Sequence, residues 1–252
     1  MKKTVTIYKK VGETPLQTVL RFKKSHPQYL HDKVSYAGRL DPMAHGGLLL
    51  LIGKENKNRR FWEKLDKEYL FEILFGIATD SNDILGIITK TIKKTNVSEQ
   101  KIKTVLTEIA KVKYQTPPIY SAVKVKAKPL YYWARKGLIN KIKIPQRKIK
   151  IYKIKLESIN LISQKKLQKN INARLNLIKG DFRQKQILTK WNNFFKSSDV
   201  DFYKTALIQV KCSSGTYVRS ISRDIGKKLK IPTLTFTIKR TKIFLPKKLS
   251  NS

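Results

Sequence analysis

Apolar and polar positions along the chain recur with two periods, near 2 and near 3.6 residues, and the boundaries between them carry start and stop residues. TVTIY at 4–8 alternates and predicts a strand. Thr14, Pro15 and Gln17 then read as an N-cap, a first-turn proline and a capping-box partner, so a helix is expected to start there. YLFEILF at 69–75 and ILGIITKTI at 84–92 are β-rich runs on either side of the turn-forming TDSND, and together predict a hairpin. After Ser98, residues Ile102, Val105, Leu106 and Ile109 share one helical face, and LYYWARKG at 130–137 predicts a short helix closed by Gly137.

KIKIYKIKLESINLI at 149–163 alternates as a strand with one phase slip. Asp181 and Gln184 read as a second capping box, for a helix with Ile187, Leu188, Trp191, Phe194 and Phe195 on one face. TALIQVKC at 205–212 is a strand, and TYVRSISRDIGKKLK starts a helix just after the turn SSG. With no Pro/Gly/Ser-rich linker and no internal repeat, the pattern describes one mixed α+β domain.

Composition narrows the function. At 252 residues and 40% hydrophobic the chain can bury a core, while 55 Lys and Arg against 17 Asp and Glu give a formal net charge of +38. Such an excess suits a polyanion, nucleic acid first, although lysine used as surface filler accounts for part of it. The excess is uneven: residues 41–90 hold 8 acids and 7 bases, residues 141–190 hold 2 acids and 15 bases. The first region reads as a chemical centre and the second as a grip. A single cysteine, Cys212, excludes a disulfide framework, and His26, His31 and His45 lack ligand spacing, so no metal is expected. No apolar run approaches the ~18 residues of a membrane span, and the N-terminus lacks a signal peptide's apolar core. A soluble, cytoplasmic or organellar-matrix, monomeric protein is expected.

Candidate chemistry centres on YAGRLDPMAHGG at 36–47. Asp41 follows Arg39 and Leu40, is pinned by Pro42 and lies between Gly38 and Gly46; taken alone this is a turn. Arg219, in GTYVRSISRDIG, stands near the start of a helix, where it can pair with a carboxylate or a phosphate, or lie free on the surface. Tyr69, at the mouth of its strand, is either half-buried packing or a stacking platform for an extruded base. PPIYSAVKVKAKPLYYWARKG at 117–137 mixes aromatics with cations as RNA binding requires, which nominates Lys124, Tyr131 and Arg135. Arg39, and Lys185 and Lys190 on the helix expected after Asp181, are further candidate RNA contacts.

YAGRLDPMAHGGLLLLIGK, KEYLFEILFGIATDSNDILG, QTPPIYSAVKVKAKPLYYWARKG and CSSGTYVRSISRDIG, in that order and at compatible spacing, resemble the TruB family of tRNA pseudouridine synthases. The resemblance implies an α+β catalytic domain around a mixed, mainly antiparallel sheet flanked by helices. It implies isomerisation of uridine to pseudouridine at position 55 in the tRNA T-loop, with base flipping and no cofactor. It makes Asp41 the catalytic aspartate, Tyr69 the base-stacking tyrosine and Arg219 the arginine paired with the aspartate. Lys9 and Gly12 in KKVGET match the family's N-terminal Lys and Gly, and are expected at the RNA. Lys10 stands where the family has proline and Pro15 where it has serine. Tyr36 and Ala37 replace a His and a Thr, so the family's histidine contact is not carried over. Residues 158–204 read as an insertion, and a single catalytic domain without a C-terminal PUA domain is expected.

Two rival readings remain. A glycosidase acting on nucleic acid would need a second carboxylate, for which Asp80 or Asp83 is available. A non-catalytic RNA-binding or tRNA-folding protein would need the basic surface and aromatics but not Asp41.

Overall fold

In the computed structural model, which describes residues 3–246, β1 (Thr4–Lys9) leads through a turn at Gly12 into α1 (Pro15–Ser25). The expected capping box is present. The Thr14 hydroxyl accepts from the Gln17 amide at 3.2 Å, and the Gln17 side chain accepts from the Thr14 amide at 2.7 Å, so two amides that the first turn leaves without partners are satisfied. α1 buries Val19 and Phe22 against β2 (Val34–Ala37) and β3 (Ala44–Ile52). The run LLLLI is unbroken because β3 is covered on both faces. Leu48 and Leu50 pack towards α1, and Leu49 and Leu51 towards Trp62 of α2 (Arg59–Glu63).

β4 (Lys67–Phe75) follows and corrects the hairpin expected over 69–92. Gly76, at φ +95°, breaks the strand, and β5 (Ile77–Thr79) is what pairs with β6 (Ile88–Thr91). β4 itself lies between two strands from the far end of the chain, a partnership that local patterning does not signal. α3 (Glu99–Ala110) forms where the apolar spacing predicted it, and the Ser98 side chain caps it. The aromatic and basic segment then folds as β7 (Tyr114–Gln115), a tight hairpin of β8 (Lys124–Val125) and β9 (Lys128–Pro129), and α4 (Leu130–Arg135), with Gly137 at φ +68° past its end. β10 (Arg147–Lys148) pairs back on β7.

β11 (Ile151–Ser163) has two register irregularities where one was expected, between Ile151 and Lys153 and between Leu156 and Ser158. After it come α5 (Gln164–Asn176), α6 (Gln184–Ser197), β12 (Phe202–Cys212), α7 (Val218–Leu229) and β13 (Thr233–Ile243). β11 and β12 stay paired out to Ser163 and Phe202, so the stretch 158–204 consists of the ends of these two strands with a helical hairpin between them. α5 has no counterpart in the elements read from the sequence. Leu167, Ile171 and Leu175 make its buried stripe among Lys, Gln and Asn. The expected capping box at α6 is also absent. Arg183 occupies the N-cap in a left-handed conformation (φ 60°, ψ 20°), the Asp181 carboxylate turns towards Arg135, and Gln184 accepts from the Phe182 amide.

The main sheet runs β1-β3-β13-β4-β12-β11, with β2 also on β3, and every pairing is antiparallel except β13 with β3. α3 and α7 cover one face through Ile102, Leu106, Ile221 and Ile225 against Phe71, Ile73 and Ile208. The α5–α6 hairpin covers the other, where Trp191 is fully buried in a cluster with Ile84, Ile171 and Leu234, and its indole donates to the Ile84 carbonyl at 3.2 Å.

Candidate active site

The loop between β2 and β3 carries Asp41, and its backbone permits almost no other course. Gly46, at φ +108°, lies where a Cβ would overlap the Arg240 carbonyl oxygen. The Asp41 carbonyl accepts from the Ala44 amide at 3.0 Å. Beneath the loop Lys9 is fully buried, and its ammonium donates to the carbonyls of Ala44 (2.6 Å), Lys10 (3.0 Å) and Pro42 (3.4 Å). Gly12 is buried as well. Its amide donates to the Pro42 carbonyl at 2.9 Å, and a Cβ on it would meet Leu177. The structure places Lys9 and Gly12, both expected at the RNA, beneath the Asp41 loop, which they brace from inside. Burial pulls the Lys9 ammonium down to about 8, against the opposing attraction of Asp41.

Arg219 enters from the first turn of α7 and is 3% exposed. Its Nε donates to Asp41 Oδ2 at 2.8 Å, its Nη1 to the Ser81 carbonyl at 2.9 Å and its Nη2 to the Tyr120 carbonyl at 3.1 Å. Asp83 approaches the same guanidinium at 3.6 Å. One planar fork thus joins four chain segments. Burial opposes the Arg219 charge, but Asp41 and then Asp83 outweigh it and raise the guanidinium above its ordinary range. For Asp83 burial prevails: its carboxyl is raised despite Arg219 and a 2.6 Å bond from the Ser81 hydroxyl. Asp80 is ion-paired with Arg183 at 2.9 Å. Neither Asp80 nor Asp83, the two carboxylates available to a glycosidase reading, lines the cleft that Asp41 shares with Tyr69; the other carboxylate along it is Glu63, which is ion-paired with Arg59 at 2.8 Å.

Tyr69, on β4, is 8% exposed. Its hydroxyl accepts from Arg240 Nε at 3.3 Å, and the Arg240 guanidinium carbon lies 5.5 Å from its ring centre. Burial raises the phenol above its ordinary range. Arg240, on β13, also donates to the carbonyls of Gly38 (2.9 Å), Arg39 (3.0 Å) and Gly47 (3.2 Å), so it fixes Tyr69 relative to both ends of the Asp41 loop. Sequence reasoning missed it. In TIKRTK a buried arginine looks like any other cation of an alternating basic strand.

Asp41, Tyr69 and Arg240 open on one cleft of about 640 Å³, with Arg39, Arg60, Lys64, Arg147 and Lys148 around it. Arg39 is exposed and donates to the Tyr36 hydroxyl at 3.2 Å. A second cavity of about 310 Å³ lies against Asp41 and Arg219 and is lined by Tyr120, Tyr131, Arg135 and Arg183. Arg135 is engaged there by Asp181, at 3.0 Å to its carboxylate and 2.6 Å to its carbonyl. Lys124 is exposed on the β8–β9 hairpin, and Lys185 and Lys190 are exposed on α6; these three line neither cavity. Among the described residues no group of three or more His, Cys, Asp or Glu side chains could hold a metal, and no helix is long and apolar enough to cross a membrane.

This architecture is that of the pseudouridine synthase catalytic fold. It superposes on a chain of a structure titled "Crystal Structure of a Cbf5-Nop10-Gar1 Complex" with a TM-score of 0.56, at 20% identity, covering 95% of this chain and 48% of that one. A structure titled "Structure of H/ACA RNP bound to a substrate RNA containing 2'-deoxyuridine" gives 0.52 at 16% identity, over 95% and 47%. The chain belongs to the TruB family: the family model described as TruB family pseudouridylate synthase (N terminal domain) matches residues 26–182. Similar curated proteins include the tRNA pseudouridine synthase B of Francisella tularensis subsp. tularensis (strain WY96-3418), 35% identical over 78% of this chain and 51% of the relative. That of Caldanaerobacter subterraneus subsp. tengcongensis is 34% identical over 84% and 59%. The matches thus span between about half and three fifths of these relatives' length.

Proposed function

We propose that this chain isomerises uridine to pseudouridine in the T-loop of tRNA, acting as a monomer on the T-arm. The observation that carries the reading is the 2.8 Å pair between Asp41 and a buried Arg219 beside Tyr69, in a member of the TruB family. The reaction breaks the bond from ribose C1′ to uracil N1, turns the ring, joins C1′ to C5 and moves the C5 proton, with no atom gained or lost. A carboxylate is required either to attack C1′ or to take the 2′ proton. Asp41 suits both: its side chain is 31% exposed, open to the cleft on one side and held by Arg219 on the other. The ring of Tyr69 supplies a stacking wall for the flipped base, which partly offsets a few kcal/mol of unstacking. Its hydroxyl is a candidate to receive the C5 proton; because burial keeps the phenol protonated, its own proton leaves in the same step, and the count balances at the ring nitrogen freed when the C1′–N1 bond broke, which carries a proton in pseudouridine. The cations around the cleft would hold the flanking phosphates.

Asp41→Asn tests this reading. We expect single-turnover conversion of a tRNA transcript to fall more than about 100-fold, with the dissociation constant for tRNA within a few-fold of wild type. Wild-type product analysis should show pseudouridine and no free uracil. Turnover retained in Asp41→Asn removes the carboxylate from the mechanism; free uracil would make the enzyme a glycosidase.

A further inference from the structure

The α5–α6 hairpin does more than cover the sheet, because its tip reaches the groups that hold Arg219. Arg183 sits at that tip, and its guanidinium grips Asp80 with both arms, Nη1 to Oδ2 at 2.9 Å and Nη2 to Oδ1 at 3.4 Å. The same guanidinium stacks on the Tyr120 ring, with its central carbon 4.1 Å from the ring centre. Both charged side chains of the pair are 19% exposed, so this is a largely desolvated contact and not a loose surface pair. Asp80 immediately precedes Ser81, and the Ser81 and Tyr120 carbonyls are the two that receive Arg219 Nη1 and Nη2. Arg183 therefore clamps, from behind, the two segments whose backbones orient the Arg219 fork and leave its Nε for Asp41. Arg183 also holds a left-handed backbone (φ 60°) with no side-chain cap, a conformation that a non-glycine residue keeps where surrounding contacts impose it.

We propose that Arg183 is a positioning residue for the Asp41–Arg219 pair, so that the helical hairpin completes the active site through Asp80 and Tyr120. The proposal rests on the reading of the Asp41 cleft as catalytic. Its rival is a latch that merely fastens the hairpin to the body, and the two differ in what they leave untouched.

Two variants separate them. Arg183→Asn tolerates the left-handed backbone but cannot reach Asp80 and Tyr120 together; Arg183→Lys keeps the charge without the planar fork. With enzyme saturating over tRNA, the single-turnover rate of Arg183→Asn is expected to fall at least ten-fold while tRNA affinity stays within two-fold, and Arg183→Lys is expected to recover part of the loss. A saturated rate equal to wild type in Arg183→Asn, with the change confined to melting temperature or affinity, overturns the proposal. A second readout does not depend on turnover: the Arg219 Nε–H resonance, protected from exchange by its bond to Asp41, should shift and lose protection in Arg183→Asn but not in Gln186→Ala, a change at an exposed position of the first turn of α6. If Arg183→Asn fails to fold, the same comparison is made in Arg183→Lys, and an unchanged Arg219 signal there also overturns the proposal. A wild-type chain that converts no uridine counts against the isomerase reading alone, since the resonance still reports whether Arg183 positions Arg219.

Discussion

Around Asp41 the decisive side chains are buried cations, and burial gives them effects that can be measured apart from activity. The Lys9 ammonium is held at about 8 against an ordinary 10.5. Between those two values the unfolded chain carries a proton there that the folded one has released, so stability rises with pH across the window. Below about pH 8 the burial penalty is fully present; above about 10.5 it is gone. The rise can reach about 1.4 kcal/mol per pH unit for one such group. Lys67, also held at about 8, first by burial and then by Arg240, adds a contribution of the same sign. Denaturant midpoints of Lys9→Met measured from about pH 8 to 10 should climb less steeply than those of wild type; parallel curves would show that the buried ammonium does not titrate in this window.

Tyr69 offers the complementary case, where ring and hydroxyl are separable. Tyr69→Phe keeps the stacking surface but removes both the acceptor for Arg240 Nε and the proposed proton acceptor. We expect tRNA affinity within about two-fold of wild type, consistent with stacking retained, and a single-turnover rate lower by on the order of 100-fold, the scale of general acid–base catalysis. An unchanged rate would take the hydroxyl out of the chemistry.

Among the elements, α6 carries two faces with different work. Ile187, Trp191 and Phe195 close one face of the sheet, while Lys185, Lys190 and Lys196 are exposed on the other side of the helix. The inner face is cover, since without it the Leu74 and Leu234 side of the sheet would meet water. The outer face we regard as an accessory RNA grip. If each lysine neutralises one phosphate, replacing all three with Gln should flatten the plot of log affinity against log salt by about 2–3 units, at ~0.9 per phosphate. A slope and an affinity that both match wild type would leave α6 as cover alone.

Across the whole molecule, most elements were legible because local rules and global packing agree in them. α1 announces itself through its capping box, α3 through apolar spacing and α7 through the turn before it, and β1, β11 and β12 through their side-chain patterns. α5 was missed because three buried residues in a polar stretch give little contrast. The 69–92 hairpin was misassigned because β4 finds its partners more than 120 residues away, in β12 and β13. Asp41, Tyr69 and Arg219 could be nominated from their segments, since Gly and Pro framing, a strand mouth and a helix start are local properties. Lys9, Arg183 and Arg240 could not be read in the same way, because a basic chain offers dozens of cations and only folding selects which of them lose water. The sequence by itself determined most of the secondary structure and the family, and it nominated Asp41, Tyr69 and Arg219. Tertiary structure alone decided that two of the chain's cations, Lys9 and Arg240, support the aspartate loop from within, because burial and carbonyl geometry depend on segments that meet only in the folded state.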